Sequence, residues 1–174
     1  MRKAMKRIAK FFKVSFEEFQ KAYMDEFGGD VDAARAVYDG IKLPARATSG
    51  SAGYDLFSPV DFTLKPGQTI KIPTGIRARM DEDWVLALFP RSGLGFKYRL
   101  QLNNTVGIID SDYYNSDNEG HIFVKITNDS NEGKEVTVSA GSGFAQGIFF
   151  MYGITEDDDC DSLRNGGFGS TDGK

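Results

Sequence analysis

At 174 residues the chain is the size of one domain, able to bury a core without disulfides or a structural metal. Its formal charge of -4 offers no basic surface of the kind that attracts a nucleic-acid polymer or an anionic membrane. The lone cysteine, Cys160, has no intrachain partner, and the lone histidine, His121, excludes metal sites built on two or three imidazoles. Cysteine usage of this kind points to the cytoplasm.

The basic start, Met1 to Val14, is interrupted by Lys10 and Lys13 and followed at once by acids, so it does not read as a secretion signal. Arg7 to Val14 is rich enough in Ile, Phe and Val to be a strand. Ser15-Phe16-Glu17-Glu18 is a capping box, so a helix is predicted from there, with Phe16, Phe19, Ala22, Tyr23 and Phe27 at helical spacing and Gly28-Gly29 as its stop. A second short helix, from about Asp30 to Asp39, places Val31, Ala34 and Val37 on one face and ends at Gly40. Residues 15–40 thus read as a helical insertion packed on the main body, with a partner-docking surface as the alternative.

From Ile41 onward the pattern changes to short β-rich runs separated by turn residues. Val60 to Leu64 and Gln68 to Ile72 flank Lys65-Pro66-Gly67 and predict a hairpin. Further strands are predicted at Gly75 to Met80, Trp84 to Phe89, Tyr98 to Leu102, Thr105 to Ile109, His121 to Thr127, Glu135 to Ser139 and Ala145 to Tyr152, with His121 a surface strand residue. The expected fold class is mainly β, an antiparallel sandwich, barrel or jelly roll in a single domain over residues 1–174. The longest nearly apolar run, Phe144 to Ile154, falls well short of the roughly 20 residues a membrane helix needs. Residues 156–174, acidic and then Gly-rich, read as a flexible tail. Its single Phe among glycines, with Ser and Thr just after, suits a flap closing over something flat and phosphorylated.

Three loops carry chemistry. Ser49 to Asp55 combines small residues with one acid, Pro90 to Gly95 combines Arg and Ser with glycines, and Gly107 to Tyr113 ends a strand with two acids and an aromatic. Glycines let backbone N–H groups approach phosphate oxygens, Arg makes bidentate phosphate contacts, and a carboxylate can act as a base or meet Mg2+ through its waters. None is a Walker loop, and residue pattern alone stops at a β-rich domain suited to a phosphorylated ligand.

In order and spacing, five segments resemble the motifs of the trimeric dUTPase family: ATSGSAGYDL at Ala47 to Leu56, PRSGLG at Pro90 to Gly95, NTVGIIDSDY at Asn104 to Tyr113, FAQ at Phe144 to Gln146 and GGFGST at Gly166 to Thr171. The resemblance spans about Ile41 to Lys174 and implies a jelly-roll enzyme cleaving dUTP to dUMP and pyrophosphate. It implies Asp110 as the carboxylate that activates water, Mg2+ on the phosphates with Asp55 touching its hydration shell, and Arg91, Ser92 and Gly93 as phosphate holders with Gln146 near the α-phosphate. It assigns base selection to the hairpin of Asn104, Gly107, Ile108 and Ile109, and to Tyr113 packing against the deoxyribose and exclusion of a 2′-hydroxyl. Phe168 would stack on uracil as the tail closes, Arg164, Ser170 and Thr171 would reach the outer phosphates, and Gly169 lies between them. It also implies a homotrimer with active sites at subunit boundaries.

The sequence departs from the family pattern in four places. Gly141-Ser142-Gly143 precedes Phe144-Ala145-Gln146 where an acid and an arginine are usual, and Arg164 lies one residue nearer the glycine pair. Tyr114 to Glu119 lengthens a loop that is normally tight, and the helical insertion before Ile41 is not typical. The nearest rival, dCTP deaminase, shares the fold but needs a glutamate base where this chain has Lys125. A rival of another class is a protein-binding module of this fold, presenting the Phe16 to Phe27 helix.

Overall fold

Alternation of buried and exposed positions marks several of the strands. In β3 (Phe62–Leu64), β7 (Leu100–Leu102), β8 (Gly107–Ile109) and β10 (Val136–Val138) the outer residues are buried and the middle one exposed, the period of a half-buried strand. The structure is a computed structural model that describes residues 6–162 and 164. Its remaining strands are β1 (Ala9–Lys13), β2 (Tyr54–Phe57), β4 (Thr69–Pro73), β5 (Ile76–Met80), β6 (Trp84–Pro90), β9 (Phe123–Asn128) and β11 (Gly143–Met151).

All described strand pairs are antiparallel. One sheet runs β2-β11-β6-β8, a second runs β4-β9-β7, and β3-β10 and β1-β5 form two-stranded ribbons. Leu56, Leu86, Leu88, Ile109 and Phe144 of the first sheet and Ile72, Leu100, Leu102, Val124 and Ile126 of the second are buried in one continuous apolar core. The fold is mainly antiparallel β, and the jelly-roll description fits it.

Two turns behave differently from their sequence reading. Gly67 takes φ 82 and the Gln68 N–H donates to the Lys65 carbonyl at 3.0 Å, so the Lys65-Pro66-Gly67 turn forms. Its arms do not form a hairpin, because β3 pairs with β10 and β4 with β9. Turn chemistry specifies where the chain reverses but not which edge each arm finds. Here Ile70 and Ile72 align with Ile126 and Val124, and the wholly buried Asn128 side chain ties the corner by donating to the Leu64 and Lys134 carbonyls. The turn at 103–106 is likewise a corner between sheets, with β7 on β9 and β8 on β6.

The N-terminal segment forms as its caps predict. α1 (Phe16–Phe27) begins where the Ser15 hydroxyl accepts from the Glu18 N–H and ends at Gly28 with φ 70. In α2 (Val31–Gly40) the Asp30 carboxylate caps the Ala33 N–H; Ala34 is buried but Val31 is exposed, so only part of the predicted apolar face is used. A third helix, α3 (Ser92–Tyr98), lies where glycines and the absence of a side-chain cap gave no helical signal. It absorbs Tyr98, which the strand prediction had placed ahead of β7, and β2 is a strand that the sequence reading did not predict, overlapping the end of the Ser49 to Asp55 loop.

His121 is wholly buried rather than on the surface. Burial is tolerated because both ring nitrogens have partners: the Gly75 N–H donates to Nε2 at 2.9 Å, and Nδ1 lies 3.1 Å from the Glu18 carboxylate. Gly75 has φ +69, and a Cβ there would lie 2.3 Å from the Ile41 side chain and 3.1 Å from Phe19. We therefore expect Gly75→Ala to cost about 2–4 kcal/mol through left-handed strain plus overpacking. Urea unfolding with an unchanged midpoint would contradict this.

Candidate active site

The residues singled out in the sequence fall into two clusters. The first gathers where β2, β11 and the end of β6 meet. Register places Gln146 beside Asp55 on one flank and Phe89 on the other, so the ladder itself brings the first, second and fourth motifs together. The Arg91 guanidinium lies 3.2 Å from the Asp55 carboxylate, and the Gln146 amide donates to the Pro90 carbonyl at 3.1 Å. A Cβ on Gly53 would sit 2.7 Å from the Gln146 side-chain oxygen, so a larger residue there would push the Gln146 amide from its present place. Arg91, Ser92 and Gly93 are exposed at the start of α3.

The second cluster follows β8. Asp110 is half-buried just after Ile109, and a 3-10 turn at Ser111–Asn115 brings in Tyr113, which is buried. The Tyr113 hydroxyl donates to the His121 carbonyl at 2.7 Å and accepts from Asn118 at 2.8 Å. Burial pushes the Tyr113 phenol above its ordinary range, against the Asn118 hydrogen bond, so it stays a protonated donor. Asn104 and Gly107 line a cavity of about 470 Å3 together with Leu88, Leu102, Ile109 and Phe123, within the range of small-molecule sites. Ile108 on the opposite face of β8 is exposed.

Arg164 joins this second cluster rather than the first. Its guanidinium hydrogen-bonds the Asp110 carboxylate, lies 3.0 Å from Asp112 and stands 5.8 Å from the Tyr113 ring centre. Phe168, Gly169, Ser170 and Thr171 lie outside the described residues.

Along β6 the two clusters are at opposite ends. Leu86 pairs with Ile109, so Asp110 falls level with Val85, six residues before Arg91. At about 3.3 Å per residue that is roughly 20 Å of strand, several times the span of a triphosphate.

The polar residues around the second cluster include two that sequence reasoning passed over. Glu119 accepts from the Ser15 N–H at 2.7 Å and the Ser15 hydroxyl at 2.6 Å, and Arg77 lies 3.7 Å away while donating to the Tyr114 carbonyl at 2.5 Å. The capping box marked Ser15 for a local role only, and a contact 104 residues away leaves no periodic signal.

The chain is thus an antiparallel β protein of jelly-roll type, with an Arg-Asp-Gln cluster at one end of a central strand and an acid-tyrosine pair at the other. Its comparisons narrow this to one family. A dUTPase family model matches residues 39–172, and the chain belongs to the dUTPase family. The deoxyuridine 5'-triphosphate nucleotidohydrolase of Lactococcus lactis is 42% identical over 135 residues, 76% of this chain and 89% of the relative. That of Hahella chejuensis is 43% identical over 141 residues, 75% and 87%. The Streptococcus mutans dUTPase crystal structure superposes with a TM-score of 0.58 at 38% identity over 68% of this chain and 91% of that one. A phage phi11 dUTPase from S. aureus, described with a coordinated structural Mg(II) ion, shares the fold at a TM-score of 0.58 and 22% identity over 71% and 92%. No helix among the described residues is long and apolar enough to cross a membrane.

Burial raises the Glu119 carboxyl, but the two Ser15 hydrogen bonds and the charge of Arg77, with a smaller contribution from His121, outweigh it and leave it below its reference value of 4.5. A lowered folded value means stability that is fully present above the unfolded value and lost as pH falls through the folded one. Thermal unfolding followed from about pH 6 down to about pH 3 should therefore show a steeper loss in the wild type than in Glu119→Gln. Parallel profiles would contradict the assignment.

Proposed function

We propose that this chain hydrolyses dUTP to dUMP and pyrophosphate. The observation that carries the reading is Asp110 and Tyr113 placed directly after the strand whose Gly107 and Ile109 line the cavity. Asp110 accepts a proton from water; the water oxygen bonds the α-phosphorus as the bond to the bridging oxygen breaks, and pyrophosphate leaves with that electron pair. Arg91, Ser92 and Gly93 hold the phosphates, and Gln146, anchored on Pro90, lies toward the α-phosphate.

Base selection follows from the corner at 103–106. Among the described strand pairings β7 bonds only to β9 and β8 only to β6, so the other edge of each can offer backbone groups to a pyrimidine edge alongside Asn104, Gly107, Ile108 and Ile109. Tyr113 packs on the deoxyribose. Phe168 stacks on uracil as residues 156–174 close, while Arg164, Gly169, Ser170 and Thr171 serve the outer phosphates. That role requires Arg164 to leave Asp110 and Asp112, so substrate competes with an internal ion pair.

A magnesium-dependent reaction fits the donors present. Among the described residues no group of three or more His, Cys, Asp or Glu forms a protein cage, and the first cluster offers a single carboxylate, Asp55. This suits Mg2+ held chiefly by the triphosphate, with Asp55 meeting its waters. The ion would neutralise charge on the phosphates.

The distance between the clusters supports assembly. Asp110 and Arg91 of one chain cannot serve one triphosphate, whereas a homotrimer joins the second cluster of one chain to the first cluster of another. Deamination of dCTP is disfavoured, because Lys125 is exposed on β9 opposite Lys71 and no glutamate stands there. The cytoplasm remains the proposed location.

A pyrophosphate-release assay with Mg2+ across the deoxynucleoside triphosphates should show turnover of dUTP above all others. Asp110→Asn should lower it a hundredfold or more, on the order of a lost general base. Turnover near wild type in that variant would remove the mechanism.

A further inference from the structure

Two of the departures from the family pattern, the helical segment ahead of Ile41 and the lengthened loop after Tyr113, meet in space. Glu119 has φ 57, a left-handed conformation unfavourable for a side chain with a Cβ. Gly120 follows at φ +69, and a Cβ there would lie 2.6 Å from the Tyr113 carbonyl oxygen and 2.7 Å from the Tyr114 Cα. The loop is thus folded tightly back against the turn that carries Tyr113.

What holds it is the start of α1. Ser15 donates to Glu119 through both N–H and hydroxyl. One turn further on, Glu18 meets His121, whose Nε2 already accepts from Gly75; the proton therefore sits on Nδ1 and is donated to Glu18. The His121 carbonyl accepts from the Tyr113 hydroxyl, and the Asn118 amide donates to the Tyr113 hydroxyl oxygen. Phe19, fully buried, packs its ring 6.4 Å from the imidazole and closes the site from the α1 side. The His121 and Tyr113 contacts lie in a buried site, where an unpaired donor is costly and its neighbours shift to relieve it, while the Ser15–Glu119 contact is partly buried.

We propose that the N-terminal helical segment is a positioning device for sugar discrimination: Ser15 and Glu18, acting through Glu119 and His121, fix the Tyr113 ring and so the preference for deoxyribose over ribose. The segment lies almost wholly ahead of the matched family region, which begins at residue 39, and it supplies contacts that the 39–172 region alone does not contain. The inference rests on the sugar-packing role of Tyr113 given above. Ser15, Glu18, Glu119 and His121 are positioning residues, none of which need touch substrate.

The test is kcat/KM for dUTP and for UTP in the full chain, with melting temperature measured alongside. In Glu18→Ala the dUTP:UTP ratio should fall about tenfold or more, the scale of a slightly misplaced supporting contact. Glu18→Gln, whose side-chain carbonyl still accepts from Nδ1, should restore it. A merely structural role would lower activity on both substrates together and leave the ratio at the wild-type value, and that result in a folded Glu18→Ala protein overturns the proposal. Should Glu18→Ala fail to fold, Ser15→Ala, which removes the hydroxyl contact to Glu119 together with the α1 cap on the Glu18 N–H, is read in the same way in a protein whose melting temperature shows it folded. Tyr113→Ala separates the two layers: an unchanged ratio there removes the sugar role of Tyr113 and this proposal with it, whereas absence of dUTP turnover in the wild type strikes the assigned reaction itself.

Discussion

The hydrogen-bonded ladder of Trp84–Pro90 is the constraint on which the rest depends. The strand is flanked by β11 on one edge and β8 on the other, with Leu86 and Leu88 almost wholly buried. Its C-terminal end delivers Arg91 to Asp55 and Gln146, and its N-terminal half sets the position of Asp110. Because register is fixed by burial of one face, the separation between these groups cannot be tuned by loops. On the proposed reading the activated water and the gripped phosphates belong to different copies of the chain, and the separation along β6 supports the proposed assembly.

The same rigidity explains why supporting contacts matter around Tyr113. Asp110 and Tyr113 sit in a short turn after a three-residue strand, an element with little stability of its own. Its order comes from neighbours: Arg77 on the Tyr114 carbonyl and ring, Asn118 and His121 on the phenol, and α1 behind them. β1 completes the support by pairing with β5 from Ala9 opposite Met80 to Lys13 opposite Ile76, which anchors α1 to the body of the fold.

Local chemistry was legible in the sequence and long-range partnership was not. The Ser15 cap, the Gly28 stop, the second helix near Asp30 and several of the strands are written in residue type and spacing, and they formed near the expected positions. The Lys65-Pro66-Gly67 turn was equally readable, but the sheet each arm joins depends on Ile126, Val124 and Asn128, far along the chain. His121 misled because its burial needs Glu18 and Gly75, neither of which marks it locally. The α3 helix was hidden because Ser92, Gly93 and Gly95 are poor helix formers, leaving tertiary context to decide. Within the candidate site, motif order named the residues, while only the ladder showed that they form two groups.

Mixed reassembly tests the split site most directly. Asp110→Asn and Arg91→Ala chains, each poorly active alone, would be unfolded, combined in equal amounts and refolded together, and dUTP turnover measured. With random assortment about one composite site in four pairs an intact Asp110 with an intact Arg91 from a neighbour, so activity should rise well above either parent toward a quarter of wild type. A mixture no more active than its two components would show that both groups act within one chain, against the separation that β6 imposes.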